Sequence, residues 1–294
     1  MFYRRKIILA LIQMLGGELE KIRIQKLLFL FSQKKKNPEY EFIPYKFGCY
    51  SFSAKADLNT MIKNSNLIEN ENYFIKNIPD DFVKTLKIED KKILNEVVQL
   101  YGGMSSSNLI KHTYINYPYY AINSTIVNNV LDQTQLKKVS DFKKEGNETI
   151  LFTIGYEGIS LEKYLNKLVT NDVKLLVDVR KNPLSMKFGF SKSLLKKYCE
   201  SLNIEYIHIP EVGINSDQRQ ELHTQADYDA LFESYKKTTL KETSIYQENI
   251  IELLLKYHRI ALTCFEADVC QCHRKHLAET IEKKAIFDYQ VKHI

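Results

Sequence analysis

The run KLLVDV at residues 174–179 constrains the fold more than any other stretch of the chain. A strand without a polar face must be buried on both faces, which is typical of a parallel sheet covered by helices. Similar apolar runs alternate with helical patterns from residue 149 to residue 294. We therefore predict an α/β fold for this half, with a mostly parallel, Rossmann-like sheet and helices on both faces. The predicted strands are 149–154, 174–179, 206–209, 260–264 and 289–293, and a polar insertion is predicted at 213–226.

The first half of the chain has a different pattern. Helical periodicity over 3–15 and 20–32 is followed by YEFIPYKFGCYSF, an extended aromatic-rich segment with a glycine at Gly48. A further helix is predicted over 53–66 and a short strand over 73–75. This order is typical of a winged-helix or related helix-turn-helix module, so we predict a mainly helical, winged-helix-like domain. More helices are predicted over 89–101, 105–116 and 125–141.

The segment KKEGNET at 143–149 separates the two patterns. It is charged, contains a glycine and has no apolar anchor, as is usual for a linker. A chain of 294 residues is also long for one domain. We therefore predict two domains, 1–145 and 146–294.

The net charge of +6 is confined to the first half of the chain. Residues 1–150 hold 22 lysines and arginines against 16 acidic residues, whereas residues 151–294 hold 20 of each. Such asymmetry indicates either a domain that faces a polyanion or a lysine-rich solvated surface. The predicted surface for nucleic acid or a protein partner consists of Arg4, Arg5, Lys34, Lys35 and Lys36.

The longest apolar runs are too short to cross a bilayer. The N-terminus MFYRRKIILALIQML is similar to a signal peptide but has no small-residue cleavage site, so we predict a folded helix there. An odd number of cysteines, five, favours a reducing compartment over a disulfide framework. We therefore predict a cytoplasmic protein that does not associate with membranes.

Polar segments follow three of the predicted strands. They are TIGYEG, DVRKNPLS and CFEADVCQCHR, and the last of them (264–274) holds three of the five cysteines. The carboxyl ends of parallel strands lie along one edge of a sheet, where α/β proteins bind ligands. We therefore predict that the three segments meet in one cationic pocket.

Two arginines of these segments are candidate anion ligands. Asp178 and Arg180 flank Val179 and point to the same side of the strand end. They form either a buried structural pair or an anion clamp in which Asp178 orients Arg180. Arg274 lies in the first turn of a predicted helix, where the helix dipole disfavours a cation and a bound anion would relieve the cost.

Two further residues are candidates for chemistry. His273 either acts as an acid or base near neutral pH or pairs locally with Glu266. Cys264 ends a strand that faces a helix N-terminus, so it is either a thiolate nucleophile or an inert buried side chain.

Neither a metal nor a cofactor is predicted. Cys270, Cys272 and His273 form a C-x-C-H cluster, but no second pair of ligands completes a zinc pattern. The sequence also contains neither a glycine-rich dinucleotide motif nor a P-loop.

The second half of the chain resembles the family called domain of unknown function 488. The resemblance covers about residues 150–294 and rests on TIGYEG, LVDVRKNPLSMKFGFSK, IEYIHIPEVG, LTCFEADVCQCHR and the closing VKHI. This chain departs from the family pattern at Glu157 and at 212–214. The resemblance implies a fold and a site but no reaction. The implied polar positions are Tyr156, Asp178, Arg180, Pro183, Ser185, Cys264, Glu266, Cys272, His273 and Arg274.

The first half resembles the Panacea, or SocA-like antitoxin, group of helical domains. The resemblance covers about residues 5–76 and rests on IRIQKLLFLFSQ and FIPYKFGCYSFSAKADLNTMIKNSNLIE, with Cys49 at a position where proline is usual. It implies a protein-interaction or DNA-binding module without catalysis, and a link to bacterial defence.

Three functional hypotheses follow. The first is an enzyme or sensor that binds a phosphate-bearing ligand, a nucleotide or a nucleic-acid end, recruited by the basic domain to DNA or to a protein. Its predicted catalytic residues are Asp178, Cys264, Glu266, Cys272 and His273, and its predicted ligand-binding residues are Tyr156, Arg180, Ser185 and Arg274. The second is a non-catalytic DNA-binding or toxin–antitoxin-associated protein, and the third is a thiol-dependent, sulfurtransferase-like enzyme.

Overall fold

The chain folds into two compact units, Met1–Lys143 and Lys144–Ile294. The structure is a computed structural model that describes residues 1–143, 145–215, 218, 222, 224–284 and 289–294. Much of the polar insertion predicted at 213–226 therefore lies outside the described residues.

The first unit is mainly helical, as predicted. Its helices are α1 (Tyr3–Met14), α2 (Lys21–Gln33), α3 (Phe52–Lys63), α4 (Ile88–Tyr101), α5 (Ser106–Asn116), α6 (Val127–Val130) and α7 (Gln133–Ser140). Its strands are β1 (Glu18–Glu20), β2 (Ile43–Tyr45), β3 (Gly48–Tyr50), β4 (Leu67–Glu69) and β5 (Tyr73–Lys76). They form an antiparallel sheet of order β1-β5-β4 and a separate β2-β3 hairpin. The likeness of this unit to a winged helix stays a prediction.

Helices α1 and α2 lie at the centre of the first unit. Six consecutive residues of α1, Ile7 to Ile12, are fully buried, as are most residues of α2 from Ile24 onward. A helix that is buried on most sides is stable only inside a core, and α3, α4, α5 and the small sheet pack around these two.

Two details of the first unit differ from the sequence expectations. The predicted helix over 53–66 ends at Lys63, because Ser65 adopts a left-handed conformation with φ of 57° before β4 begins. The single helix predicted over 125–141 is two, separated by the extended residue Leu131.

The second unit is an α/β fold, which confirms the predicted class. Its strands are β6 (Ile150–Gly155), β7 (Leu175–Asp178), β8 (Glu205–His208), β9 (Arg259–Cys264) and β10 (Gln290–His293). Its helices are α8 (Leu161–Thr170), α9 (Lys192–Glu200), α10 (Gln225–Lys237), α11 (Thr239–Glu242), α12 (Ser244–Tyr257) and α13 (His273–Lys284). All four strand pairings are parallel, and the strand order is β10-β6-β9-β7-β8.

Helices cover both faces of this sheet. Leu262 of β9 packs in one cluster with residues of α10, α12 and α13. The next residue, Thr263, points to the other face, where its Oγ1 accepts a hydrogen bond of 2.7 Å from Tyr164 of α8. Every residue of β6, β7 and β9 is buried, as expected for strands between two helical layers.

This topology creates a crevice at the carboxyl edge of the sheet. Strand β9 lies beside β6, yet the helices that follow these two strands pack on opposite faces. The segments that leave the two strands therefore diverge, which is where open α/β sheets bind ligands.

Within the described residues, no helix combines the length and the apolar character that a bilayer crossing requires.

A buried carboxylate joins α1 to α3 in the first unit. Asp57 is 2% exposed and accepts hydrogen bonds from Nε of Arg4, from Nε of Arg5 at 2.7 Å and from the hydroxyl of Tyr40 at 2.9 Å. The negative charge of Asp57 offsets the positive charges of Arg4 and Arg5 at the start of α1.

We expect Asp57→Asn to lower the free energy of unfolding of the first unit by about 3 kcal/mol, since the substitution leaves two arginines without a counter-charge. Denaturant unfolding of the full chain measures the change. Asp80→Asn, at an exposed position, is the matched control and should be neutral. Equal stability of the two variants would contradict the structural role of Asp57.

Candidate functional site

A cavity of about 250 Å³ opens at the carboxyl edge of the parallel sheet. The three segments predicted to converge all contribute to it. Its lining consists of Tyr156, Arg180, Lys181, Asn182, Leu184, Ser185, Ile214, Cys264, Phe265 and His273. The structure thus brings together five of the predicted site residues: Tyr156, Arg180, Ser185, Cys264 and His273.

The segment after β9 reaches this cavity because it lies directly against the end of β6. A Cβ atom on Gly155 would lie 1.8 Å from the main-chain oxygen of Glu266, so only glycine permits the approach. The amides of Tyr156 and Glu157 both donate to the main-chain oxygen of Phe265, at 3.0 and 2.9 Å. The Glu157 carboxylate in turn accepts from the amide of Ala267 at 3.0 Å.

Arg180 is held by a bidentate ion pair. Its Nε donates to Oδ1 of Asp178 at 2.8 Å and its Nη2 to Oδ2 at 2.5 Å. Its Nη1 donates to the Tyr156 hydroxyl and to the main-chain oxygen of Phe190. Burial lowers the pKa of Arg180, but the hydrogen bonds and charge of Asp178 outweigh it and raise the pKa above its ordinary value. The guanidinium is therefore permanently charged, and it makes its hydrogen bonds to groups of the protein itself.

Asp178 is fully buried, and its carboxylate also accepts its hydrogen bonds from groups of the protein itself. Besides the guanidinium, its carboxylate accepts from the amide of Arg180 at 3.1 Å and from the hydroxyl of Tyr206 at 2.5 Å. Burial and the neighbouring carboxylate raise the pKa of Tyr206. Four donors on one carboxylate favour the structural interpretation of the Asp178–Arg180 pair over proton transfer by Asp178.

Tyr156 and Ser185 form part of the cavity wall. The ring of Tyr156 stacks on that of Phe190, with centroids 4.3 Å apart and planes 10° apart. The Ser185 hydroxyl accepts a hydrogen bond of 3.2 Å from the amide of Lys187, whose ammonium donates to the main-chain oxygen of Tyr156 at 2.6 Å.

Two cysteines and one histidine meet below the cavity, in a group that we call the thiol–imidazole cluster: Cys264, Cys272 and His273. Their ligand atoms all lie within 4.8 Å of one another, and the three residues are at most 2% exposed. Nδ1 of His273 is 3.7 Å from Sγ of Cys264 and 4.0 Å from Sγ of Cys272. Cys264 also contacts Oε2 of Glu266 at 3.2 Å. None of the chain's five cysteines forms a disulfide.

The tautomer of His273 follows from its other nitrogen. Nε2 lies 3.1 Å from the main-chain oxygen of Val179, which can only accept a hydrogen bond. Nε2 therefore carries the proton, and the lone pair of Nδ1 faces the two sulfur atoms when the ring is neutral. Burial, together with the neighbouring Cys264 and Glu266, raises the pKa of the Cys272 thiol well above its ordinary value.

Arg274 does not line the cavity. Its guanidinium donates to the main-chain oxygens of Glu266 at 2.6 Å and Ala267 at 3.1 Å, and its Nε has no hydrogen-bond partner among the described residues. Arg274 thus fixes the segment that carries Cys264 and Glu266, and its role as an anion ligand stays a prediction.

The predicted basic surface of the first unit is largely neutralised by acidic partners. Arg4 and Arg5 bind Asp57, Lys34 binds Glu96 at 2.6 Å, and Lys35 binds Glu39 and Asp90. Lys36 is exposed and has no ion pair among the described residues. The role of these residues in partner binding stays a prediction.

Sequence reasoning missed several neighbours of the site. Lys181 and Asn182 line the cavity. Both belong to the polar segment DVRKNPLS, shortly after the end of β7. Tyr206 and Phe190 contact the Asp178–Arg180 pair from other elements, and no local pattern in the sequence indicates them.

We expect Asp178→Leu and Arg180→Met each to lower the free energy of unfolding by about 3 to 5 kcal/mol, because each leaves a buried charge without its partner. The double variant should cost less than the sum of the two, since it leaves neither charge behind. Denaturant unfolding of the three variants measures this coupling. Strictly additive costs would show that the pair does not act as a unit.

Part of the α/β unit matches a known protein family. The family described as "Domain of unknown function DUF488" matches residues 160–281, a range that includes Asp178, Arg180 and the whole thiol–imidazole cluster. No curated protein matches the chain. The resemblance of the first half to the Panacea or SocA-like antitoxin domains has no support from these comparisons. Residues 160–281, within the α/β unit that holds the site, are thus similar to a family of unknown function.

Proposed function

We propose that the α/β unit is an enzyme that binds a small phosphate-bearing anion in the cavity at the carboxyl edge of its sheet. The observation that supports this most is the charge of the lining: two of its ten side chains are basic, Arg180 and Lys181, and among the described residues that line it none is acidic. A low-dielectric cleft lined by one sign of charge concentrates ligands of the opposite sign.

Lys181 is the main source of positive charge for a ligand. The charge of Arg180 is balanced by Asp178 within the protein, whereas Lys181 is exposed and has no ion pair among the described residues. Lysine binds phosphate as a point charge, and the neighbouring Asn182 amide and Ser185 hydroxyl supply neutral hydrogen bonds. This combination suits a phosphate better than an apolar ligand.

The size of the cavity limits the ligand. A volume of about 250 Å³ lies below the roughly 300 to 1,000 Å³ of pockets for drug-sized ligands. The phosphate and the sugar of a single nucleotide match this volume better than a whole dinucleotide does. The proposed ligand class is therefore a nucleotide or the phosphorylated end of a nucleic acid.

His273 is the proposed proton acceptor. It lines the cavity, it is buried, and the hydrogen bond from Nε2 to the main-chain oxygen of Val179 fixes the ring with Nδ1 toward the two sulfur atoms. A neutral imidazole can accept a proton from a bound substrate, which is what general base catalysis requires.

The thiol-dependent alternative has less support. A single thiolate nucleophile at Cys264 would lie 3.2 Å from the Glu266 carboxylate and beside a second cysteine. Like charges in a buried site oppose one another, so this surrounding disfavours a lone thiolate.

We expect Lys181→Glu to weaken the binding of inorganic phosphate and of nucleoside monophosphates by at least about tenfold, since a hydrogen bond to a charged group contributes roughly 1.5 to 3 kcal/mol. Isothermal titration calorimetry on the full chain measures the affinities. Lys163→Glu, an equal change of charge at an exposed position of α8 outside the cavity, is the control and should bind like the wild type.

Catalysis is tested separately from binding. Phosphorus NMR of the wild type incubated with phosphomonoesters should show turnover, and His273→Gln should bind phosphate without turnover. Binding without any turnover by the wild type would favour a ligand sensor. Absence of millimolar binding, or equal loss in Lys181→Glu and Lys163→Glu, would refute the ligand class.

A further inference from the structure

Three groups that bind transition metals meet at one buried point below the cavity. Sγ of Cys264, Sγ of Cys272 and Nδ1 of His273 all lie within 4.8 Å of one another, and Oε2 of Glu266 lies 3.2 Å from Sγ of Cys264. We propose that the thiol–imidazole cluster binds one zinc ion through these two sulfur atoms and Nδ1, with the fourth coordination position facing the cavity.

The distances match a tetrahedral site. Zinc–sulfur and zinc–nitrogen bonds of about 2.3 and 2.05 Å place neighbouring sulfur and nitrogen ligands about 3.6 Å apart. Nδ1 of His273 is 3.7 Å from one sulfur and 4.0 Å from the other. The two sulfur atoms lie within 4.8 Å of one another, against about 3.8 Å in a tetrahedral site, so side-chain shifts of at most about 1 Å complete the coordination.

Local structure explains why ligands from separate segments converge. Cys264 is the last residue of β9 and points toward the N-terminus of α13. Cys272 has an extended main chain (φ −132°, ψ 135°), and His273 begins α13, so two adjacent residues direct their side chains to one point. Cys270, in the same loop, is exposed and lies outside the cluster.

The surroundings of the cluster are those of a metal site. The ring nitrogen of His273 that faces away from the sulfur atoms donates to a main-chain oxygen, which is the usual arrangement behind a zinc-bound histidine. When zinc binds, the two thiols release their protons to solvent, and the ion neutralises the two thiolates. The guanidinium of Arg274, 2% exposed, donates to the main-chain oxygen of Glu266 at 2.6 Å and so holds the segment beside the cluster in place.

The direction of the fourth position follows from the cavity lining. Cys264 and His273 line the cavity, whereas Cys272 is fully buried and does not. Two sulfur atoms and one nitrogen leave one position for water or substrate, the ligand number typical of catalytic rather than structural zinc. Zinc binding needs only the three side chains and does not depend on the proposed phosphate ligand. Because zinc would occupy the lone pair on Nδ1, His273 would act as a base only in a chain without zinc.

The metal content of the purified full chain tests this proposal. We expect about one zinc per chain by elemental mass spectrometry after dialysis, and at least about tenfold less in Cys264→Ser and in Cys272→Ser. Cys270→Ser is the matched control, a cysteine of the same loop that should retain the zinc of the wild type.

A second measurement does not depend on the folding of any variant. Wild-type protein stripped of metal and loaded with Co²⁺ alone should show thiolate-to-cobalt charge-transfer absorption and the visible bands of tetrahedral cobalt, which added zinc should abolish. A wild-type chain that binds neither metal, a disulfide between Cys264 and Cys272 in the purified protein, or equal zinc loss in Cys270→Ser would each overturn the proposal. Lys181→Glu should keep its zinc, so failure of the ligand proposal and failure of the metal proposal are distinguishable.

Discussion

The position of Cys264 and Glu266 depends on one main-chain contact, that of the segment after β9 with Gly155 at the end of β6. A side chain at residue 155 would overlap the main chain of Glu266, and two amides of the β6 end bind the oxygen of Phe265. Arg274 holds the same segment from the opposite direction through the oxygens of Glu266 and Ala267. Cys264 is thereby fixed between β6 and α13, where it meets His273.

The sequence predicted the architecture of the second unit because its strands are apolar without interruption. The run around Leu176 can be buried only between two layers, and the structure places it there. Short elements of the first unit were not predictable in the same way. Strand β4 has one buried residue, Leu67, and its pairing with β5 is determined by tertiary structure rather than by periodicity.

The candidate site was predictable as a location but not in the roles of its residues. Convergence of three strand ends follows from parallel topology alone. Whether Arg180 clamps an anion or pairs with Asp178 depends on the hydroxyl of Tyr206 in the next strand and on the main-chain oxygen of Phe190, and the fold brings both to the pair. The spacing of Cys270, Cys272 and His273 predicted no metal, because the third ligand that we propose, Cys264, lies eight residues earlier on a strand and joins the cluster only through the fold.

Net charge was likewise a poor guide to binding surfaces. The excess of basic residues at the start of the chain is offset in space by acids far along it, such as Asp57 and Glu96, so local composition overstates the charge that a partner meets. In the α/β unit the overall charge is balanced, yet the cavity is lined by basic side chains alone among its charged residues. A zinc ion held by two thiolates in the thiol–imidazole cluster would leave the net charge of the cavity floor unchanged, so the positive charge of the cavity would still come from the wall that carries Lys181. The two proposals share His273, because its Nδ1 cannot hold a zinc ion and accept a proton at the same time. In a zinc-bound chain, an anion attracted by Lys181 would meet a Lewis acid at the point where Cys264 and His273 reach the cavity.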